Sequence, residues 1–216
     1  MIFVKTYHAP EFNIKEILRY SGTRNMEGLE ELLEDALSQV KEVLTYKVCY
    51  GKFPISIKDS EVILPSLRIK SKGLAKNLSG CGEILIFGAT VGVGIDRLIA
   101  KYGSLSPVKS LIFQGIGAER IEALCDAFCE DMEKEYGKIK PRFSPGYGDF
   151  DISYQKEIFG LLDCQRKIGL TLNDSLLMSP SKSVTAIVGI GECGKNEKSG
   201  CETCTKNDCE FREKGK

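Results

Sequence analysis

The chain has 216 residues, and its 30 lysine and arginine side chains balance 30 aspartate and glutamate side chains, so the formal net charge is zero. This length suits one domain, or one domain with a small appendage, built around a single core. No basic block interleaved with aromatic residues is present, so we expect no nucleic-acid partner. Because the N-terminus lacks a signal-peptide pattern and no apolar run approaches the roughly 20 residues that span a bilayer, we expect a cytoplasmic protein without membrane contact.

Apolar periodicity divides the chain into helices, where spacing follows i, i+3 and i+4, and short β-branched or apolar runs typical of strands. In chain order the predicted elements are helices at 13–21 and 26–44, strands at 45–50 and 62–64, a helix at 71–78, a strand at 83–89, a helix containing Ile95 and Leu98, a long helix at 107–136, a helix that begins near Ser153, and a strand at 184–190. We expect Ser71 to cap the helix at 71–78, and we expect the long helix to be interrupted near Gly115-Ile-Gly117 and to end at Gly137.

The order of these elements predicts an α+β fold, because strands and helices do not alternate as they do in a doubly wound parallel sheet. Gly88, Gly92 and Gly94 follow a strand and precede a helix, but their G-x-x-x-G-x-G spacing differs from a dinucleotide-binding turn, so we interpret them as structural. The single histidine, His8, supports no Ser-His or Cys-His pair, so we predict no catalytic side chain.

Nine cysteines fall into two groups. The group that lies within predicted strands and helices is expected to pack as small apolar side chains: Cys49, Cys81, Cys125, Cys129 and Cys164. The second group lies in a polar C-terminal tail, which has too few apolar side chains to form a core: Cys193, Cys201, Cys204 and Cys209.

We therefore predict two units, a domain at residues 1–191 and a cysteine-rich tail at residues 192–216. The spacing C-x7-C-x2-C-x4-C offers a four-sulfur ligand set, and metal binding would order a tail that cannot order itself by burial. Three readings stay open: a structural zinc knuckle, an iron-sulfur cluster that carries electrons, and reduced or disulfide-linked thiols on a disordered tail.

A candidate ligand-binding turn lies between the long helix, which precedes Gly137, and the helix that begins near Ser153. Its residues are Arg142-Phe-Ser-Pro-Gly-Tyr147. Pro145 fixes its own φ and Gly146 can adopt positive φ, so the backbone can turn sharply and approach a ligand. Arg142 offers a planar fork suited to a carboxylate, and Tyr147 offers a ring for stacking or for contact with a cation.

The segments around this turn resemble a known family. They include residues 17–20, 88–98, 121–130, 155–163, 167–175 and 178–185. In this order they resemble the S-adenosylmethionine-binding activation (reactivation) domain of cobalamin-dependent methionine synthase, in its free-standing bacterial form. The likeness covers roughly residues 14–190 and implies a curved antiparallel sheet packed with helices.

The resemblance implies that Arg142 binds the carboxylate of the methionine moiety, and that the backbone and ring at Pro145, Gly146 and Tyr147 lie at the nucleoside end. It also matches Glu130 to an acidic residue that contacts the cofactor, although a solvated helix glutamate is nearly as good a reading. The longer enzymes complete this pocket with an aromatic segment, where this chain has its cysteine tail.

Two functions follow from the resemblance. In the first, the chain supports reductive methylation of cob(II)alamin carried by a methionine synthase or another corrinoid protein, with an electron from a flavodoxin- or ferredoxin-type donor or from a cluster in the tail. In the second, it is a non-catalytic module that senses S-adenosylmethionine and docks a corrinoid or redox partner. The chain has no recognisable cobalamin-binding histidine loop, so the corrinoid is expected on the partner.

Overall fold

The computed structural model describes residues 1–191. The strands in this part of the chain are β1 (Ile2–Thr6), β2 (Lys47–Pro54), β3 (Ser56–Lys58), β4 (Glu61–Ile63), β5 (Arg68–Lys70), β6 (Glu83–Thr90), β7 (Thr171–Leu172), β8 (Met178–Ser179) and β9 (Ser183–Ile190). The helices are α1 (Ile14–Ser21), α2 (Glu30–Lys41), α3 (Lys72–Asn77), α4 (Gly94–Leu105), α5 (Pro107–Tyr136), α6 (Gln155–Leu162) and α7 (Cys164–Ile168). Three residues of 3-10 helix, Ile152–Tyr154, precede α6.

The central sheet has the strand order β1-β2-β6-β9, and each neighbouring pair is antiparallel. Smaller antiparallel sheets join β3 to β4 and β5, and β7 to β8. Seven of the eight residues of β6 are buried, from Ile84 to Thr90, because helices cover both faces of the sheet. The predicted α+β class, with an antiparallel sheet packed against helices, is confirmed.

Alternation along β6 divides the core into two layers. Leu85 and Phe87 face a cluster that contains residues of α1, α2, α4 and α5. Ile84 and Ile86 face a second cluster, which contains residues of α3, α6 and α7. Successive side chains of a strand point to opposite faces, so one apolar run supplies both layers.

Helix α5 is continuous over 30 residues, so the predicted interruption at Gly115 and Gly117 is wrong. The two glycines permit close packing instead. A Cβ on Gly115 would lie 2.5 Å from the carbonyl oxygen of Ile17 in α1, and one on Gly117 would lie 2.8 Å from Cγ of Lys182. The helix tolerates two glycines because this packing offsets their weak intrinsic helix propensity.

The N-terminal segment forms the edge strand β1 and is then anchored by a buried ion pair. Arg120 of α5 is fully buried and pairs with Glu119. Its guanidinium also donates to the carbonyl oxygens of Pro10 and Glu11, and it stacks 4.2 Å from the ring centroid of Phe12. This arrangement ties residues 10–12 to the middle of α5.

Local signals predicted several boundaries correctly. Ser71 caps α3 by accepting from the backbone N–H of Leu74 at 3.0 Å, and α5 stops at Gly137. By contrast, α2 is shorter than the predicted helix at 26–44, because Gly28 adopts a φ of 71° just before it begins. No helix within residues 1–191 is long and apolar enough to cross a membrane.

Candidate functional site

The predicted turn is held against the central sheet. The backbone N–H of Phe143 donates to the carbonyl oxygen of Ile187 at 3.0 Å, and the N–H of Ile187 donates back to Phe143 at 2.9 Å. Lys140 donates in the same way to Gly189 at 2.8 Å. The chain before the turn therefore runs antiparallel along β9, and this contact positions Arg142 close to α5.

Arg142 lies opposite two carboxylates of α5. Its Nη2 atom is 3.0 Å from Oε2 of Glu122 and 3.0 Å from Oδ1 of Asp126, which are one helical turn apart. The arginine side chain is 25% exposed. Its Nη1 atom is buried and has no hydrogen-bond partner among the described residues. The guanidinium is therefore held in position, with part of its hydrogen-bonding capacity unused.

Two cysteines of α5 lie beside this guanidinium. Burial raises the pKa of the Cys125 thiol, and it raises the pKa of Cys129 to about 11, although the positive charge of Arg142 opposes both shifts. Both thiols are consequently protonated at neutral pH, and the counter-charge of Arg142 comes from Glu122 and Asp126 rather than from a thiolate.

The turn itself is compact and presents its tip to solvent. Gly146 has a φ of 90°, and its N–H donates to the carbonyl oxygen of Phe150 at 2.7 Å. The N–H of Phe150 donates to Tyr147 at 3.0 Å, and that of Tyr147 donates to Ser144 at 3.1 Å. Pro145 is buried below the turn, whereas the side chain of Tyr147 is 54% exposed. The expected positive φ at Gly146 is thus observed.

Asp149 fastens the turn to α3, which sequence reasoning missed. Its carboxylate accepts from Oγ of Ser71 at 2.6 Å and from the backbone N–H groups of Lys72 and Gly73 at 2.7 Å and 3.0 Å. The hydrogen bond from Ser71, followed by that from Gly73, holds the pKa of Asp149 below its usual value. No local pattern signals this role, because the donors are more than 70 residues away along the chain.

Aromatic rings complete the support beneath the turn. The ring of Phe143 is edge-on to Tyr147 at 5.4 Å between centroids and stacks at 6.3 Å on Phe150. Phe150 in turn contacts Tyr154 at 5.6 Å, and the Tyr154 hydroxyl accepts from the backbone N–H of Lys70 at 3.1 Å. The half-exposed Tyr147 ring therefore contacts a packed aromatic row.

Glu130 is exposed on α5, one turn beyond Asp126. No contact between Glu130 and Arg142 is found in the described part of the chain. The i, i+4 spacing nevertheless places Glu122, Asp126 and Glu130 along one stripe of the helix. We call these three residues the acidic row. Glu122 and Asp126 were not predicted as site residues, because their role depends on the contact between α5 and the segment that carries Arg142.

The four cysteines proposed as metal ligands, Cys193, Cys201, Cys204 and Cys209, lie outside the described residues. Within residues 1–191 no group of three or more His, Cys, Asp or Glu side chains is arranged to hold a metal ion.

The fold defines this chain as an α+β domain in which one antiparallel sheet is covered by helices on both faces. A model of the family described as "Vitamin B12 dependent methionine synthase, activation domain" matches residues 75–196, more than half of the chain and all of the predicted turn. The chain belongs to this family, and the resemblance stated from its sequence is confirmed.

Among solved structures, the chain is similar to the crystal structure of the MetH reactivation domain bound to AdoHcy. The TM-score is 0.66 at 15% sequence identity, and the match covers 91% of this chain and 80% of the other. At this identity the likeness establishes the fold. A comparison with curated protein sequences finds no match.

Proposed function

We propose that this chain binds S-adenosylmethionine between the turn at residues 142–147 and the acidic row of α5, and that it supports reductive methylation of cob(II)alamin carried by a partner. The observation that carries the proposal is Arg142, held by Glu122 and Asp126 beside an exposed tyrosine turn. Membership of the activation-domain family and the AdoHcy-bound structural relative support it.

The charges of this surface suit the ligand. S-adenosylmethionine carries one carboxylate, one ammonium group and one sulfonium, so it needs one cationic partner and tolerates several anionic ones. Arg142 is the cation, and its unpartnered Nη1 atom shows that its hydrogen-bonding capacity is not fully used. We propose that the acidic row, including Glu130, faces the ammonium and sulfonium groups.

The other end of the ligand would lie at the turn. Gly146 is exposed at the tip of the turn, so a nucleoside can approach its backbone, and Pro145 keeps that backbone in place from its buried position. Tyr147 offers the free area of a ring already backed by Phe143, and an aromatic face of this kind stacks on a heterocycle. These residues fit the adenosine moiety.

Bound S-adenosylmethionine would supply a methyl group whose transfer is strongly downhill, which draws forward an otherwise unfavourable one-electron reduction of the corrinoid. The contribution of the chain is positional: Arg142 and the turn fix both ends of the donor, so that its methyl group meets the partner in a defined orientation. The partner is a cobalamin-binding methionine synthase or a related corrinoid protein, and the electron comes from a flavodoxin- or ferredoxin-type donor.

Calorimetry with the full chain tests the binding site. Loss of a charge-assisted hydrogen bond costs about 1.5–3 kcal/mol, so Arg142→Ala should weaken S-adenosylmethionine binding by about 10- to 100-fold. Arg166→Ala is the matched control, because Arg166 is 85% exposed on α7 and should leave the affinity unchanged. Equal affinities of wild type and Arg142→Ala would contradict the site.

A methyl-transfer assay distinguishes the activation function from the non-catalytic sensing function. A cob(II)alamin-loaded partner, a reductant and methyl-labelled S-adenosylmethionine should yield labelled methylcobalamin only when this chain is present. The non-catalytic sensing module predicts binding without label transfer, so binding combined with no methylcobalamin would favour that alternative.

For the tail we propose that residues 192–216 form a separate unit in which Cys193, Cys201, Cys204 and Cys209 hold zinc or an iron-sulfur cluster. The support is the thiolate spacing alone. Metal analysis of anaerobically purified protein decides between the two: zinc identifies a structural knuckle, and iron with sulfide identifies an electron carrier. If the analysis finds neither zinc nor iron, the proposal is contradicted.

A further inference from the structure

Two buried cysteines meet at the interface between the central sheet and the α6–α7 layer. Cys49 lies in β2 and Cys164 is the first residue of α7, 115 positions later in the chain. Their sulfur atoms are 3.7 Å apart, and both residues are completely buried. Neither residue belongs to the proposed ligand site, and both were expected only to fill space in the core.

The sheet makes room for this pair. Gly88 of β6 is the direct cross-strand partner of Cys49. A Cβ at Gly88 would lie 3.1 Å from the sulfur of Cys164 and 3.6 Å from that of Cys49. A side chain at position 88 would therefore press against the sulfur of Cys164 and contact that of Cys49, and its absence leaves room for the two thiols beside β6.

The two thiols differ in acidity in a way that suits stepwise oxidation. The hydrogen bond between the two sulfur atoms lowers the pKa of Cys49, although burial opposes this shift. The same interaction, together with burial, raises the pKa of Cys164. Because the thiolate is the reactive form of cysteine, Cys49 is the first of the pair to react and Cys164 is placed to resolve the product.

We propose that Cys49 and Cys164 form a reversible disulfide when the protein is exposed to a peroxide. The thiolate of Cys49 takes one oxygen atom from hydrogen peroxide, which leaves a sulfenic acid on Cys49 and releases hydroxide. The sulfur of Cys164 then displaces the sulfenic oxygen, which leaves as water once the thiol proton is transferred. Two thiols lose two electrons and two protons in all, peroxide becomes two waters, and a dithiol reductant restores the pair.

This bond would tie α7 to β2 and close a long loop of the chain. Helix α7 has five residues and is flanked by Asp163 and Gly169, both with left-handed backbone conformations, so it is a short segment between two turns. Local opening there admits the oxidant. A cross-link restricts the unfolded chain more than the folded one, so the oxidised protein should unfold at a higher temperature than the reduced protein.

Peptide mapping of the full chain tests the proposal directly. The reduced protein is treated with hydrogen peroxide under native conditions, its remaining thiols are alkylated in denaturant, and it is digested with trypsin without reduction. Residues 48–52 and 157–166 form separate tryptic peptides with one cysteine each. We expect these two peptides to be joined, with a mass lower than their sum by two hydrogen atoms, and to separate after dithiothreitol.

Variants provide the matched comparison. Cys49→Ala and Cys164→Ala should each abolish both the joined peptide and the increase in melting temperature, whereas Cys81→Ala, also buried, should keep both. Wild-type mapping alone suffices if a variant fails to fold. Absence of the joined peptide, its appearance only after denaturation, or linkage of Cys49 mainly to another cysteine would overturn the proposal. The proposal does not rest on S-adenosylmethionine binding.

Discussion

Arg120 and Arg142 both meet carboxylates of α5, but they occupy opposite environments. Arg120 is fully buried, and its N–H groups are directed at Glu119 and at the carbonyl oxygens of Pro10 and Glu11. Arg142 is a quarter exposed, pairs with two partly exposed carboxylates and keeps one nitrogen without a partner. The same side-chain chemistry therefore anchors the N-terminal segment in one place, whereas in the other it forms the site that we propose for the ligand.

The largest expected effect is a difference in unfolding free energy between variants of the two arginines. Arg120→Met leaves Glu119 buried without its counter-ion, and breaking a buried pair of this kind costs about 3–5 kcal/mol of unfolding free energy. Arg142→Met removes only partly exposed pairs, so we expect a loss of at most about 1 kcal/mol. Denaturant unfolding of both variants measures the difference, and equal losses would remove the distinction between anchor and ligand-facing arginine.

A smaller effect is expected on ligand affinity, and it tests whether the acidic row contacts the positive charge of the sulfonium. S-adenosylhomocysteine lacks the sulfonium charge, so Glu122→Gln combined with Asp126→Asn should weaken S-adenosylmethionine binding more than S-adenosylhomocysteine binding. Since exposed charge pairs contribute about 0.2–1 kcal/mol each and two are removed, the affinity ratio should fall by about twofold to 30-fold.

Calorimetry with both ligands measures this ratio, and Glu31→Gln on the exposed side of α2 is the control. A ratio that stays constant would exclude contact between the acidic row and the sulfonium. A lower affinity for both ligands by the same factor would instead indicate that the row acts only by positioning Arg142.

The smallest expected effect is on the stability that Asp149 contributes by holding the turn at 142–147 against α3. The pKa of Asp149 is lowered in the folded state by hydrogen bonds from Ser71 and from the N–H groups of Gly73 and Lys72, so its contribution is fully present above the unfolded pKa of about 3.9. That contribution is lost as pH falls through the lower folded pKa. Asp149→Ala should therefore be less stable than wild type at neutral pH, and the difference should shrink in acid.

Thermal unfolding at neutral pH and at a pH below the usual aspartate range measures this change. Asp174→Ala, at an exposed position distant in sequence, is the control and should change the melting temperature little at either pH. A stability difference between wild type and Asp149→Ala that does not depend on pH would show that the carboxylate charge is not what fastens the turn.

Local sequence chemistry accounts for the parts of the fold that were predicted correctly. Ser71 was recognised as a cap, Gly137 as a helix end, and Gly146 as a turn residue because each acts through its own neighbours. The predictions failed where contacts between residues distant in the sequence determine the structure. The two glycines of α5 suggested a break, but they allow α1 to pack against Gly115 and Lys182 to pack against Gly117. Strand β1 exists because β2 lies beside it.

The candidate site divides in the same way. A turn rich in proline, glycine and tyrosine next to an arginine could be read directly from residues 142–147. Its partners could not: Asp149 bonds to residues 71–73, and Arg142 pairs with Glu122 and Asp126. These contacts join separate elements, so no local spacing encodes them.

The sequence by itself determined the α+β class, most of the helices and the turn that resembles a methionine synthase activation domain, because backbone preferences and apolar periodicity are local properties. Only the tertiary structure decided which carboxylates face Arg142, what fastens the turn, and that Cys49 and Cys164 lie within 3.7 Å of each other. Packing of the helices on both faces of the sheet brings these groups together across 16 to 115 positions of the chain.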